Sequence, residues 1–117
     1  MTAATDLRAL LVANGTLTAL VGNRIRANRA EQSDIRPFVV FTRVDTQNEF
    51  GLDGSRLASK QVFEVQAWAD TRASADAVTA AIEAVFIAAD RAFVGPVDGY
   101  DADLDMEASA LTVDWWD

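Results

Sequence analysis

The chain has no cysteine and no histidine. That excludes disulfides, thiolate zinc sites, imidazole-bound metal and any Ser-His or Cys-His nucleophile pair. The compartment stays open, because a cysteine-free chain fits a reducing cytosol and an air-exposed particle alike. No apolar run approaches the roughly 18 residues that a membrane-spanning helix needs. The start "MTAATDLRALLVANG" has no basic region, so neither a signal peptide nor a membrane span is expected, and the pattern predicts a soluble protein. A basic footprint is also missing: 10 basic residues against 18 acidic give a net charge of −8. This argues against a module that grips DNA or RNA phosphates.

What is present is ordinary globular composition, 117 residues with 50% apolar and 24% charged. One domain over residues 1–117 is expected, long enough for a single core. The charge is uneven. Residues 90–117 hold eight acids and one base, Arg91, so almost all the excess negative charge sits in the last quarter. Arg24, Arg26, Arg29 and Arg36 form a local cluster interrupted by Glu31 and Asp34. It reads as solvated or subunit-facing charge rather than a nucleic-acid patch.

Helical spacing of Leu7, Leu10 and Leu11 predicts a helix over about 5–13, stopped at Asn14-Gly15. Leu17, Leu20 and Val21 predict a brief second one over 16–21, capped by Thr16 and closed by Gly22. "RIRAN" is a weak strand, and polar turn-formers follow from Arg29 to Arg36. Pro37 then opens "FVVFTRV", a β-branched and aromatic run with strong strand character. "DTQNEFGLDGSRL" reads as a wide hairpin loop over 45–57, with Phe50 and Leu52 at its tip either tucked on the core or docked to a partner. "KQVFEVQAWA" alternates as a strand, with Phe63, Val65 and Ala67 on one face. Asp70 or Thr71 caps a helix whose stripe is Ala75, Val78, Ala81, Ile82, Val85, Phe86 and Ala89. Gly95-Pro96 and Asp98-Gly99 then mark turns.

The end, "DGYDADLDMEASALTVDWWD", places acids at alternate positions, Asp101, Asp103, Asp105 and Glu107. A calcium loop fails at its sixth and twelfth positions, which are Met106 and Thr112. Period 2 predicts instead one wet face of a strand, with neighbouring carboxylates roughly 7 Å apart. Two glycosidase carboxylates would fit that spacing, but nothing else marks a sugar cleft. From Leu111 onward the apolar parity switches, which predicts a bulge near Ser109–Ala110 or a strand that changes surroundings midway. Trp115 and Trp116 then point to opposite sides, either as interaction surface or folded back on the core.

"ALVGNRIRANRAEQSDIRPFVVFTRV", followed after a loop by "VFEVQAWADTRASADAVTAAIEAVF", resembles the tail-completion or tail-terminator proteins of long-tailed bacteriophages and gene-transfer particles. The shared order is a Leu-rich helix, "ALVGNRI", an Arg-Pro-aromatic-Val-Val strand (Arg36 to Val40), "VQAWA" and an immediate amphipathic helix, over residues 7–90. The resemblance implies a small α/β (α+β) sandwich, a mostly antiparallel sheet of about four strands with two main helices on one face. It implies structural work without cofactors in a virion, assembled in the host cytoplasm. Copies would form a ring, commonly of six, at the head-proximal end of the tail tube, meeting tube protein and head connector while DNA passes through unbound.

On that reading Asp101, Asp103, Asp105 and Glu107 face the channel or solvent, and Phe50, Leu52, Trp115, Trp116, Arg24 and Arg26 serve a subunit or tube interface. Two other classes remain open from the residues. A small acidic DNA-mimic inhibitor would need carboxylates spread over the whole surface. A hydrolase or metal enzyme would rest on the carboxylate spacing alone.

Overall fold

A computed structural model describes residues 3–31 and 34–116. The elements are α1 (Ala3–Val12), α2 (Gly15–Val21), β1 (Ile25–Ala27), β2 (Phe38–Phe50), β3 (Arg56–Ala69), α3 (Arg72–Ala88), β4 (Phe93–Asp101) and β5 (Met106–Trp116). The strands form one sheet in the order β1-β2-β3-β5-β4. β1 runs parallel to β2 and every other pairing is antiparallel. The α+β class agrees with expectation. Among the described residues the sheet has five strands rather than about four, is mostly antiparallel with one parallel pairing, and carries three helices instead of two main ones.

The helices pack on one face because their stripes match its alternation. Ala3, Leu7 and Leu11 of α1, Leu17 and Val21 of α2, and Val78, Ile82, Val85 and Phe86 of α3 are all buried. They meet Val39 and Phe41, Phe63 and Val65, and Leu111, Val113 and Trp115 from the three central strands. Each large side chain buried there contributes roughly 1.5–3 kcal/mol. Phe41 and Phe63 sit edge to face across β2 and β3 at 6.4 Å, and Phe86 of α3 meets Phe93 of β4 at 6.0 Å.

The helix caps follow local chemistry. The Asn14 side chain accepts from the Leu17 N–H at 2.9 Å, so Asn14 and not Thr16 caps α2, and Gly22 closes it at φ 60°. Thr71 caps α3, its Oγ1 accepting from the Ser74 N–H at 3.1 Å.

Two expectations are corrected, and the choice left open for β5 is resolved. The supposed loop over 45–57 is strand for most of its length, since β2 and β3 stay paired out to Phe50↔Arg56. Only a tight turn joins them, closed by the Gly51 N–H on the Ser55 carbonyl at 2.7 Å and by Asp53 accepting from Ser55. Polar residues misread as loop are here the exposed sides of an antiparallel ladder. The stretch of turn signals after α3 is β4, in which Gly95-Pro96 produces a register shift between Val94 and Val97 rather than a chain reversal. The bulge therefore lies in β4, opposite Leu111, while β5 pairs with β3 without interruption from Glu107 to Trp116. The parity switch in β5 has the other cause foreseen: its start meets a small second cluster on the far face, where Met106 packs with Phe38, Val40, Ala30 and Trp68.

Gly95 is the position where this bulge has no tolerance. Its φ is 113°, and a Cβ there would lie 2.9 Å from the Ala110 carbonyl oxygen. Gly95→Ala is expected to cost about 1–3 kcal/mol, lowering the midpoint in thermal denaturation, while Gly54→Ala, with open space around it, costs less.

Candidate assembly surfaces

The four alternating carboxylates do not share a strand face. β4 ends at Asp101, the chain turns through residues 102–105, and Asp101 pairs back on Met106 at the start of β5. The Asp101 carboxylate accepts from the N–H groups of Asp103 and Leu104 at 3.0 and 3.1 Å, an Asx turn that competes with strand extension. Asp105 adopts φ 51°, and its carboxylate accepts the Tyr100 hydroxyl at 2.7 Å. That hydrogen bond to an anion raises the Tyr100 pKa. Asp101 is the last residue of β4, and Glu107 lies within β5, where it meets Arg72. Asp103 and Asp105 are the exposed two of the four, on either side of a Leu104 that is half exposed, and Asp105 is the one engaged by Tyr100. Among the described residues no group of acids is arranged to hold a metal ion.

Two arginines tie this acidic turn to the body. Arg72, at the first position of α3, places Nη1 2.8 Å from Asp98 and Nη2 3.3 Å from Glu107, and also donates to the Ala108 carbonyl. Arg36 places Nη1 2.7 Å from Asp70, and its Nη2 donates to the Leu104 carbonyl at 2.8 Å. Sequence reasoning did not single out Arg72. A signal existed, since a cation in the first turn opposes the helix dipole and needs acidic neighbours to hold it there.

The arginine cluster at the opposite edge is partly committed. The Arg24 Nε donates to the Pro37 carbonyl at 3.1 Å. Arg26 forks onto Asp34 at 3.2 and 3.1 Å and pairs with Glu31 at 3.3 Å. These contacts fix the described part of the Arg29–Arg36 turn, of which residues 32 and 33 lie outside the described residues. Arg29 is exposed, and with Arg26, Ala27, Ala30 and Glu31 it lines a cleft beside β1. The hydrogen bond from Arg26 holds the Asp34 carboxyl below its ordinary range.

The β2–β3 hairpin supplies the most conspicuous apolar surface. β5 ends where Trp116 pairs with Lys60, so beyond Lys60 the two strands continue as an arm without a third. Phe50 is 63% exposed, Leu57 69% and Leu52 fully exposed at its tip. They do not tuck back on the core. The tandem tryptophans divide, and here an interface expectation is corrected. Trp115 is buried in the main core with the Arg91 guanidinium 3.7 Å from its ring centre, so it is not available to a partner. Trp116 is half exposed on the other face, with the Lys60 ammonium 5.8 Å away.

A small α+β body whose polar side chains cross-link its own elements, and whose large apolar side chains stand out on an arm, has the construction of an assembly protein. The family model for Tail completion protein gp17 matches residues 5–116, and the chain belongs to that family. It is accordingly a structural protein of phage-type tails and a virion component, not an enzyme. A chain from a solved virion of a native gene transfer agent (GTA) particle shares the fold, with a TM-score of 0.77 and 19% identity over 92% of this chain and 88% of that one. No curated protein sequence matches.

Arg72→Met should cost about 1–2 kcal/mol, since it leaves Asp98 and Glu107 close together without their shared cation, and urea unfolding measures it. The lowered Asp34 pKa has a definite sign. Its stabilising share is fully present above the unfolded carboxyl value and is lost as pH falls through the lower folded one. Asp34→Asn should therefore lower stability at neutral pH and make the acid limb of the stability profile shallower.

Proposed function

We propose that the protein closes into a ring, of six copies, on the head-proximal end of the tail tube, ends tube growth and presents a surface to the head connector. The observation that carries this reading is the β2–β3 arm. A two-stranded hairpin is marginal in water on its own, and this one exposes Phe50, Leu52 and Leu57 at its tip. A surface of that kind is retained for a partner that covers it. Trp116 and Lys60, at the root of the arm, extend the same contact region. Arg24 and Arg26 lie at the other end of β2 from the arm tip, where they hold the segment before that strand in place.

The net charge of −8 suits a ring that DNA crosses without sticking, because like charge holds phosphate off. The DNA-mimic alternative is less well supported. The carboxylates gather at the β4–β5 end instead of covering the surface, and Asp98, Asp101, Asp105 and Glu107 are engaged within the subunit.

The test replaces Phe50 and Leu52 together with Ser. The variant is expected to keep its melting temperature within a few degrees, since neither side chain is in the core, and to lose capping of tail tubes. Electron microscopy of tube lengths with wild type and variant reads the outcome. Tubes capped equally well by both would refute the role of the arm.

A further inference from the structure

The sheet order separates charge across the subunit. Residues 1–44, which supply α1, α2, β1 and the first part of β2, contain six arginines and three carboxylates. Residues 90–117, which supply β5 and the edge strand β4, contain eight carboxylates and one arginine. β1 and β4 are the two edges of the sheet, so the arginine-rich and carboxylate-rich segments supply opposite edges, while Arg36 ties the β4–β5 turn to the segment before β2 within the subunit.

Neither edge is built to add a strand. At β1 the Arg8 Nε occupies the Ile25 carbonyl at 2.9 Å. At β4 the Gly95-Pro96 bulge breaks the register, and Pro96 has no N–H to offer. Contact between edges must then run through side chains. The shapes allow it: the β4–β5 turn projects Asp103 and Leu104, both exposed, and the β1 edge offers the cleft lined by Arg26 and Arg29. Glu31 also lines that cleft but is paired with Arg26. Arg29 therefore has its charge available to an incoming carboxylate.

We propose that copies of this chain associate head to tail, the acidic β4–β5 turn of one seating on the arginine-lined cleft beside β1 of the next. The occupant is a second copy because the chain itself carries both complementary surfaces on opposite edges. A contact between unlike surfaces leaves one of each free on every partial assembly, so it propagates and ends only by closing. The inference deepens the ring reading and rests on it. It names the subunit interface and separates it from the β2–β3 arm, which is left for the tube.

The test exploits that polarity. Asp103→Lys and Arg29→Glu are compared with wild type by light scattering and by electron microscopy of rings, free and on tube ends. Each single variant is expected to weaken assembly about tenfold or more, while the chain carrying both restores it. Mixing the two single variants should also restore it, because the introduced lysine faces the introduced glutamate at one junction and the native pair meets at the next. Alternation of that kind closes only with an even number of copies. Wild-type assembly should weaken as salt rises from about 0.05 M to about 0.5 M. Single variants that assemble like wild type, or charge swaps that fail to rescue, overturn the edge contact and leave the ring standing. A wild-type chain that assembles neither free nor on tubes overturns the ring itself.

Discussion

The seating of α3 on β3 and β5 is the constraint from which the other features follow. Val78, Ile82, Val85 and Phe86 are buried on those strands, among Phe63, Val65, Leu111 and Val113. α3 leaves the end of β3 and delivers the chain to β4, while β5 returns into the gap between them. Because β5 fills that gap, β4 is forced to the edge. The residues following α3 are the acidic ones, so the same crossover sets negative charge on one side of the sheet. The arginine-bearing N-terminal elements reach the other side through β1, parallel to β2.

Charge within the subunit is handled by arginine forks, one of which, Arg26 on Asp34, is largely buried on its carboxylate side. Arg72 joins the start of α3 to β4 and β5, Arg36 joins the segment before β2 to the β4–β5 turn, and Arg26 closes the turn that follows β1. Each fork takes up both carboxylate and carbonyl acceptors, or two carboxylates, which a planar guanidinium does better than an ammonium. The arrangement leaves the backbone of the acidic turn fixed while the Asp103 carboxylate stays exposed. A fixed turn loses less entropy on docking than a mobile one, which favours it as a contact point.

Much of this fold was legible in the residues, and the failures have physical causes. The α3 stripe and the alternation of β3 were plain because each element buries one side and wets the other. The arm was misread because both faces of β2 past Phe41 are at least partly exposed, which removes the alternation that periodicity needs. β4 was missed for the same reason, as only its two ends are even partly buried and Gly95-Pro96 reads as punctuation. The acidic alternation misled in the opposite direction. Asp at Asp101 and Asp105 serves a turn, through a carboxylate that caps backbone N–H groups and a residue in the left-handed region. The Trp pair divided as expected, but which one would be buried depended on the parity shared with Leu111 and Val113, and on Arg91 covering the ring.

These features make the surfaces of the subunit unlike one another, and that inequality matters for what it can build. A two-fold dimer asks one patch to match itself. A two-fold contact centred on the cleft alone would set basic against basic, and one centred on the turn alone acidic against acidic, and both are repulsive. Unlike edges satisfy each other by a rotation repeated about one axis, which when it closes leaves every copy presenting the same remaining surfaces in the same direction. The β2–β3 arms lie beyond the end of β5, away from the β4–β5 turn, because the turn is at the start of β5 and the arm root at Trp116 is at its end. A cyclic assembly joined by its edges would then gather all its apolar arm tips at one level. That is the geometry required of a cap, since the end of a tube offers several equivalent sites that must be covered at once, and weak contacts made together hold far better than each does alone.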